Sequence, residues 1–204
     1  LLPQDSVDIG EFCQKKKNNA PFGLISVGTG LGVSCCVPME GQYVALPTEG
    51  GHSTLPSFSS FERSIIERLG QKFGHASCEL ILSGPGLAVL YEVMNADVVL
   101  TPGQIVDGAL DGDYDCVRVI NQFCSFLGGV AGNIALMYGA WAGVFIGGGV
   151  PVRFLELLQG SQFRERFENK GKLKKVLMGV PTRLIKRDDV ALLGLARLAR
   201  VSEV

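Results

Sequence analysis

A long apolar segment, residues 113–138, constrains the fold of this chain more than any other part of the sequence. Its apolar side chains recur at helical spacing and cover most sides of the predicted helix: Val117, Ile120, Phe123, Cys124, Leu127, Val130 and Ile134. A helix that is apolar on most sides must be buried by other elements. Glycines are frequent in the apolar run of residues 123–149, so we interpret it as a buried helix that leads into a buried strand rather than as a membrane span.

The segments before this helix predict a β-meander that is followed by helices. Three short runs rich in Val, Ile and Leu predict antiparallel strands at residues 22–27, 31–37 and 42–46. Helical spacing then begins, and helices are predicted to start at Ser59 or Ser60, at the chain break formed by residues 83–86, and at Thr101-Pro102.

The segments after the long helix alternate between strands and helices. They predict a strand at residues 141–146, a helix that starts at Pro151, a strand at 182–186 and a terminal helix at 189–200. Three strands followed by alternating helices and strands indicate an α/β layer with a mixed sheet. With 204 residues, of which 47% are apolar, the chain is long enough for one sizeable domain.

Charge and cysteine content argue against several classes of function. The formal net charge is −1, so the total charge gives no electrostatic footprint for nucleic acid or an anionic membrane. The six cysteines form no C-x-x-C pair and only two histidines occur, which argues against a zinc ribbon or a secreted disulfide framework. The lysine-rich residues 170–175 are interpreted as a solvated face on a loop or short helix.

The first candidate site is the turn formed by Gly28, Thr29 and Gly30. Together with Gly32, its glycines fall at alternate positions, which fit neither the dinucleotide fingerprint G-x-G-x-x-G nor the P-loop. Since a strand is predicted to follow, a phosphate would have to be held by free N–H groups of the hairpin and by the Thr29 hydroxyl. The alternative is a tight hairpin that uses glycine for positive φ.

The second candidate site is the loop from Glu49 to His52, with Gly50 and Gly51 between them. A carboxylate and an imidazole suit the hydroxyls of one sugar, and glycine lets the backbone approach a ligand closely. The alternative is an exposed turn with an incidental histidine. A metal site would need His75 or further carboxylates to converge here, and we predict none. Glu79, taken alone, is most simply a charge on a helix surface.

The third candidate site is the glycine run Gly147, Gly148 and Gly149. It follows a predicted buried strand and precedes a predicted helix, which is where α/β sheets bind ligands, and glycine would let a planar base lie against the backbone. The alternative is a plain connection between the strand and the helix.

These motifs, in this order, resemble the bacterial-type glucokinase family of the hexokinase and actin-like ATPase superfamily. The resemblance extends from about residue 22 to residue 198 and rests on four segments, 28–32, 46–52, 82–87 and 145–149. It implies an actin-like ATPase (RNase H-like) α/β domain and the ATP-dependent phosphorylation of the glucose 6-hydroxyl, an early step of glycolysis. The zinc-containing branch of related sugar kinases carries a cysteine-rich motif that this chain lacks.

The resemblance also implies roles for individual residues. Glu49, His52 and Glu79 would bind the hydroxyls of glucose. ATP would be bound by two glycine-containing turns, of which the first carries a threonine: Gly28, Thr29 and Gly30, and Gly147, Gly148 and Gly149. The Mg²⁺ that accompanies ATP would be held mainly by the phosphates and by a small N-terminal domain.

One departure from the family pattern concerns the general base. In the family this base is the aspartate of an Asn-Asp-Phe motif in the small N-terminal domain, and this sequence contains no Asn-Asp-Phe. Asp188 and Asp189 lie near the C-terminus and cannot take that role. Since the sequence does not begin with methionine, we expect it to be part of a longer polypeptide. Because it lacks the general base of the family, we expect the chain to be inactive alone.

The resemblance divides the chain into three parts. Residues 1–20 form a lead-in segment, 21–187 the large domain of a sugar kinase, and 188–204 a C-terminal helix expected to pack on the small domain. Two copies are expected to pair through the large domain, and the cytosol is the expected location, or an organelle such as the glycosome if a C-terminal signal has been lost. The alternatives are a non-catalytic sugar or nucleotide sensor on the same fold, and a filament-forming module of actin type.

Overall fold

The strands come in two groups, four before the helical region and two after it. The structure is a computed structural model, and it describes residues 5–11, 19–95, 98–187, 189, 192 and 194. The strands in the described residues are β1 (Ser6–Asp8), β2 (Phe22–Val27), β3 (Leu31–Met39), β4 (Gln42–Thr48), β5 (Gly143–Gly147) and β6 (Thr182–Ile185). They form one mixed sheet in the order β1-β6-β5-β2-β3-β4.

The predicted meander and mixed sheet are confirmed. Strands β2, β3 and β4 pair in antiparallel fashion, whereas β5 runs parallel to β2 and β6 runs parallel to β5. Strand β1 pairs antiparallel with β6 at the edge of the sheet and was not predicted. It is three residues long, which is too short for a period of two to be recognised in the sequence.

Helices of very different length connect and cover the strands. The α-helices in the described residues are α1 (Ser60–Phe73), α2 (Cys78–Ile81), α3 (Gly84–Met94), α4 (Pro102–Leu110), α5 (Tyr114–Tyr138), α6 (Gly149–Val152), α7 (Leu155–Gly160), α8 (Phe163–Glu168) and α9 (Lys174–Leu177). Single 3₁₀ turns lie at Gly50–His52 and Gly171–Leu173.

The four longest helices start at side chains that cap them. The side-chain oxygens of Ser59, Ser83, Thr101 and Asp113 accept hydrogen bonds from backbone N–H groups of α1, α3, α4 and α5 respectively. Such caps satisfy N–H groups that have no partner within the helix. The predicted starts of these helices are therefore confirmed, with Ser59 rather than Ser60 as the first cap.

Two predicted boundaries after the long helix are wrong. The strand predicted at 141–146 lies at 143–147, because the chain first makes a tight turn beyond the left-handed cap Gly139. The helix predicted from Pro151 begins earlier, at Gly149, and ends after one turn before α7 begins. The terminal helix predicted at 189–200 lies almost entirely outside the described residues.

Helix α5 forms the centre of the core. Residues 123–132 of this helix are buried without interruption, and α3, α4, α8 and β2 pack around it. By length and composition α5 could cross a membrane, but 78% of its most apolar 18-residue window is buried inside this structure. The interpretation as a buried helix that leads into a buried strand agrees with this packing.

Two glycines of α5 let the backbone of α8 come into direct contact with the backbone of α5. A Cβ atom at Gly128 would lie 2.1 Å from the carbonyl oxygen of Phe163, and one at Gly132 would lie 2.5 Å from that of Phe167. No real side chain tolerates such distances, so glycine is required at both positions.

A buried ion pair connects α8 to α1 beside this contact. Arg166 on α8 pairs with Glu62 on α1: its Nη2 atom donates to Glu62 Oε2 at 2.9 Å. Both side chains are at least 90% buried. Gln122 and Ser125 of α5 donate to the other carboxylate oxygen at 3.3 Å each. The guanidinium also lies over the ring of Phe58. The pair therefore joins α1, α5 and α8.

The prediction that residues 170–175 form a solvated face is wrong for Lys170. Its ammonium donates to the Gly129 carbonyl at 2.9 Å and to the Asn133 side-chain oxygen at 2.6 Å, both on α5. The neighbouring Lys172, whose side chain is exposed, fits the original interpretation. Burial, and to a smaller extent the charge of Arg166, lowers the pKa of Lys170 to about 8.

Replacing one partner of the buried pair should destabilise the chain strongly. We expect Arg166→Met to lower the free energy of unfolding by about 3–5 kcal/mol, because Glu62 is left buried without its counter-charge. The matched control is Arg118→Met, which removes a surface partner of Asp115 and should cost about 0–1 kcal/mol. Urea denaturation measures both values, and equal losses would contradict a structural role for the buried pair.

The shifted pKa of Lys170 predicts a pH dependence of stability. Its folded pKa of about 8 lies below its ordinary value of 10.5, so between these values the unfolded chain binds one more proton. The contribution of Lys170 to stability therefore rises with pH in this window. We expect the free energy of unfolding of the natural chain, minus that of Lys170→Met, to increase from about pH 8 to about pH 10 in urea titrations. The subtraction removes the contribution that cysteines make to the pH dependence, because it is common to both proteins. A constant or falling difference would refute the assignment.

Candidate functional site

The three glycine turns singled out in the sequence meet at one edge of the sheet. Strands β2 and β5 are parallel neighbours with Ser26 opposite Gly147, so both carboxyl ends lie at the same edge. The turn of residues 28–30 follows β2, and the run of residues 147–149 ends β5. In open α/β sheets ligands bind outside the carboxyl ends of the strands. This edge is therefore the candidate site.

The turn of Gly28, Thr29 and Gly30 joins β2 to β3. None of its glycines has positive φ, so the alternative that glycine serves here for positive φ is wrong. The amide of Gly28 is not free, because it donates to the Gly30 carbonyl at 2.9 Å, and the amide of Leu31 is also engaged. Within the described part of the turn, the groups left to meet a ligand are the amides of Thr29 and Gly30 and the exposed Thr29 hydroxyl.

Gly148 brings the end of β5 against the end of β2. Its φ is +95°, and a Cβ atom there would lie 2.1 Å from the carbonyl oxygen of Val27. Both the backbone conformation and the close approach require glycine. Gly149, in contrast, faces open space at its Cβ position, so the backbone at that residue is accessible to a ligand.

The amino end of α3 contacts the same turn. The amide of Gly84 donates to the Gly28 carbonyl at 2.7 Å, and the Ser83 hydroxyl accepts from the Gly86 amide at 3.0 Å. This 11-residue helix thereby directs the positive end of its dipole to the neighbourhood of the turn. Such an environment favours an anion close to Thr29 and Gly30.

A carboxylate, an imidazole and a second carboxylate lie side by side next to this turn. His52 Nε2 is 3.9 Å from Glu49 Oε2, and His52 Nδ1 is 3.9 Å from Glu79 Oε1. Both distances exceed those of hydrogen bonds, so these polar groups can still accept or donate bonds to a ligand. The side chains of Glu49 and His52 are 92% and 62% exposed, and that of Glu79 is 35% exposed. We name these three residues the hydroxyl clamp.

Glu79 also contacts the glycine turn directly. Its Oε2 atom accepts a hydrogen bond from the Leu31 amide at 2.8 Å, which is a contact across 48 residues of chain. A Cβ atom at Gly30 would lie only 2.5 Å from the same oxygen. Glu79 lies on α2, yet it joins the clamp to the turn and is not merely a charge on a helix surface.

Backbone contacts fix the two halves of the clamp relative to each other. The Leu55 amide donates to the Ala76 carbonyl, and the Cys78 amide donates to the Ser53 carbonyl, each at 2.9 Å. The Cys78 thiol lies 3.5 Å from the Ser53 hydroxyl. Burial raises the pKa of this thiol, which keeps it neutral beside Glu79. The segment after His52 is thus attached to the segment that starts α2.

The second histidine does not join the clamp. His75 Nε2 lies 3.0 Å from the Thr54 hydroxyl. Among the residues that the structure describes, no group of three or more His, Cys, Asp and Glu side chains could hold a metal ion.

The two aspartates near the C-terminus are not part of the clamp. The carboxylate of Asp189 accepts from Arg187 at 3.0 Å, and Asp188 lies outside the described residues.

Three parts of the site were not assigned by sequence reasoning. These are the Leu31 amide, the amino end of α3 at Gly84, and Thr48, whose hydroxyl accepts from the Gly50 amide at 3.2 Å and donates to the Val33 carbonyl. The Ser-Gly-Pro-Gly segment at the start of α3 carried a signal, because it marks a capped helix start. A backbone amide such as that of Leu31 leaves no mark in the sequence.

Comparisons of the sequence with known proteins point to glucokinases. A family model described as glucokinase matches residues 1–202. The glucokinase of Nitrobacter hamburgensis is 45% identical over 190 residues, which are 90% of this chain and 59% of that protein. The chain therefore spans less than two thirds of the length of this relative.

Solved structures of similar proteins share the fold. The crystal structure of a glucokinase from an Antarctic psychrotroph has a TM-score of 0.89 and 35% identity, and the match covers 96% of this chain and 62% of that one. The glucokinase from Balamuthia mandrillaris, crystallised in complex with glucose, has a TM-score of 0.73 and 21% identity, with 83% and 51% of the two chains covered. The second match is evidence for the fold alone. The predicted actin-like ATPase class agrees with these neighbours.

The contact between Gly51 and Leu31 predicts opposite effects for the same substitution at two glycines. A Cβ atom at Gly51 would lie 2.0 Å from the Leu31 carbonyl oxygen, whereas one at Gly70 in α1 meets nothing within 4 Å. We expect Gly51→Ala to lower the free energy of unfolding by about 1–3 kcal/mol, because the loop must shift. Gly70→Ala should raise it by about 0.5–1 kcal/mol, since alanine favours a helix interior. Urea denaturation measures both, and a neutral Gly51→Ala would contradict the close contact.

Proposed function

Because the chain belongs to the glucokinase family, we propose that it forms the larger, substrate-binding part of an enzyme that transfers a phosphoryl group from ATP to the 6-hydroxyl of glucose. The observation that carries this proposal is the hydroxyl clamp, Glu49, His52 and Glu79, lying beside a glycine turn that has an exposed threonine and contacts the amino end of α3. A group that suits a sugar and a group that suits a polyphosphate thus meet at one sheet edge. The resemblance inferred from the glycine motifs is confirmed at the level of the family.

The clamp supports a neutral, hydroxyl-rich substrate. Carboxylates accept hydrogen bonds from hydroxyls, and a neutral imidazole both accepts and donates, so the three side chains can bind several hydroxyls of one ring. Glucose is our proposed sugar because both the family and its similar members are glucokinases. The large exposure of Glu49 and His52 leaves their polar atoms free to contact a substrate from one side.

The turn and the end of β5 support the nucleotide. We assign the phosphates to the amides of Thr29 and Gly30, the Thr29 hydroxyl and the amino end of α3, because each offers a donor or positive dipole to an anion. We assign the adenosine to the backbone of Gly147, Gly148 and Gly149, where Gly149 is open. Mg²⁺ would neutralise charge on the phosphates. The described residues offer no group of three or more His, Cys, Asp and Glu side chains that could hold the ion.

Within this scheme the chain contributes positioning rather than proton transfer. The clamp would fix the sugar so that its 6-hydroxyl faces the terminal phosphate, and such positioning supplies much of the catalysis of phosphoryl transfer. No aspartate is part of the clamp or of the glycine turns. We therefore propose that the general base is supplied by a further domain, as the shorter length of the chain relative to its relatives suggests. The chain alone should bind its substrates weakly and should not phosphorylate glucose. Two copies of the complete protein should pair through this domain.

The second candidate function is a non-catalytic sensor of sugar or nucleotide. The same observation favours it, namely a hydroxyl clamp with no aspartate beside it. A sensor would bind glucose but would not phosphorylate it, even as the complete polypeptide. A filament module has no use for the clamp and is not proposed.

The proposal is tested in the complete polypeptide that contains this chain. We expect ATP-dependent phosphorylation of glucose, and we expect His52→Ala to raise the KM for glucose by about tenfold or more, because hydrogen bonds to the sugar are lost. Its effect on the KM for ATP should be small, whereas Thr29→Ala should raise the KM for ATP instead. The two effects together separate the sugar site from the phosphate site.

The control is His75→Ala, which removes the other histidine of the chain from a contact with Thr54 outside the clamp. It should leave both KM values within about twofold of those of the natural protein. A complete polypeptide that binds glucose without phosphorylating it would favour the sensor, and one in which His52→Ala has no effect would refute the clamp.

A further inference from the structure

Leu31 connects the two ligand sites that we propose. Its amide donates to Glu79 Oε2 at 2.8 Å, and its carbonyl oxygen faces Gly51 so closely that a Cβ atom there would lie 2.0 Å away. Leu31 is 4% exposed and begins β3 directly after the glycine turn. One residue of the phosphate-side hairpin therefore contacts both segments that carry the hydroxyl clamp.

The two carboxylate oxygens of Glu79 face different sites. Its Oε2 atom is hydrogen-bonded to the Leu31 amide, and its Oε1 atom faces His52 at 3.9 Å. A carboxylate oxygen that binds a backbone amide fixes both the side chain and the peptide to which that amide belongs. A sugar hydroxyl that orders Oε1 would thus also order the peptide between Gly30 and Leu31.

We propose that Glu79 is a positioning residue for the phosphate turn as well as a sugar ligand, and that it makes glucose and ATP bind cooperatively. This inference rests on the proposed function. Whichever ligand binds first immobilises the Glu79 to Leu31 connection, so the second ligand loses less conformational freedom on binding. Because coupling between two sites is reciprocal, each ligand raises the affinity of the other by the same factor.

The proposal also explains why residue 30 is glycine. Gly30 has no positive φ, so its backbone conformation does not require glycine. A Cβ atom at this position would lie 2.5 Å from Glu79 Oε2 and 3.2 Å from the carboxylate carbon. Glycine leaves the space in which the carboxylate reaches the Leu31 amide. An alanine would displace the flexible end of Glu79 and break the connection without removing the carboxylate.

The test measures the coupling factor in the complete polypeptide. The dissociation constant of glucose is measured by calorimetry with and without a saturating, non-hydrolysable ATP analogue, and the coupling factor is the ratio of the two constants. We expect a factor of about five or more for the natural protein. Gly30→Ala and Glu79→Ala should bring the factor close to one, because each breaks the connection from a different side. The analogue is kept saturating for every variant by measuring its own dissociation constant first.

Two further variants serve as controls. Gly32→Ala places a methyl group on the same hairpin, where it meets only ordinary contacts at 3.6 Å, and should keep the coupling factor of the natural protein. Glu79→Gln retains an oxygen that can accept from the Leu31 amide. It should weaken glucose binding while keeping most of the coupling, which separates the positioning role from the loss of a sugar ligand.

Hydrogen exchange without ligands tests the connection itself. The Leu31 amide should exchange faster in Gly30→Ala and Glu79→Ala than in Gly32→Ala, because it has lost its acceptor. Unchanged exchange in Glu79→Ala, or an unchanged coupling factor in both uncoupling variants, would overturn the proposal while glucose phosphorylation stands. A complete polypeptide that binds no glucose would overturn the proposed function and this inference with it.

Discussion

The close packing of α5 against its neighbours, made possible by glycines at the contacts, is the constraint on which the rest of the structure depends. Gly128 and Gly132 admit the carbonyl groups of α8, and Gly23 of β2 admits the side chain of Ile134 at 2.8 Å from its Cβ position. Close approach excludes water from a long helix whose buried side chains are almost all apolar, and such burial is the main source of stabilisation in a folded domain. The sheet packs against this helix through the parallel strands β2 and β5.

The site uses glycine for the same physical reason as the core. Gly51 and Gly148 each stand where a Cβ atom would overlap a carbonyl oxygen, and Gly30 leaves room for the carboxylate of Glu79. The hydroxyl clamp and the phosphate turn are therefore brought together by the absence of side chains between them. Only Gly148 among these three also has positive φ. The usual explanation of glycine in a turn, conformational freedom, accounts for little of this site.

Much of the fold could be predicted, and the exceptions have identifiable causes. Strand β2 was predicted with its observed bounds, and the starts of α3, α4 and α5 were marked by Ser83, Thr101 and Asp113, because capping is a local interaction written in adjacent residues. Strand β1 was missed because three residues are too few for a period of two to be recognised in the sequence. The buried contacts of Arg166 and Lys170 were missed for a different reason, since charged residues are usually exposed and only tertiary packing reveals the exceptions.

The sequence by itself determined the meander, the buried long helix and the identity of the polar and glycine residues at the site, because hydrophobic periodicity, caps and turns are local. Only the tertiary structure decided that Glu79 reaches the Leu31 amide, that the Gly28 amide is already engaged, and that Gly30 and Gly51 provide space rather than positive φ. These are contacts between segments far apart along the chain, and their distances depend on how the helices and strands pack. A sequence names the groups that can meet, and packing decides which of them do.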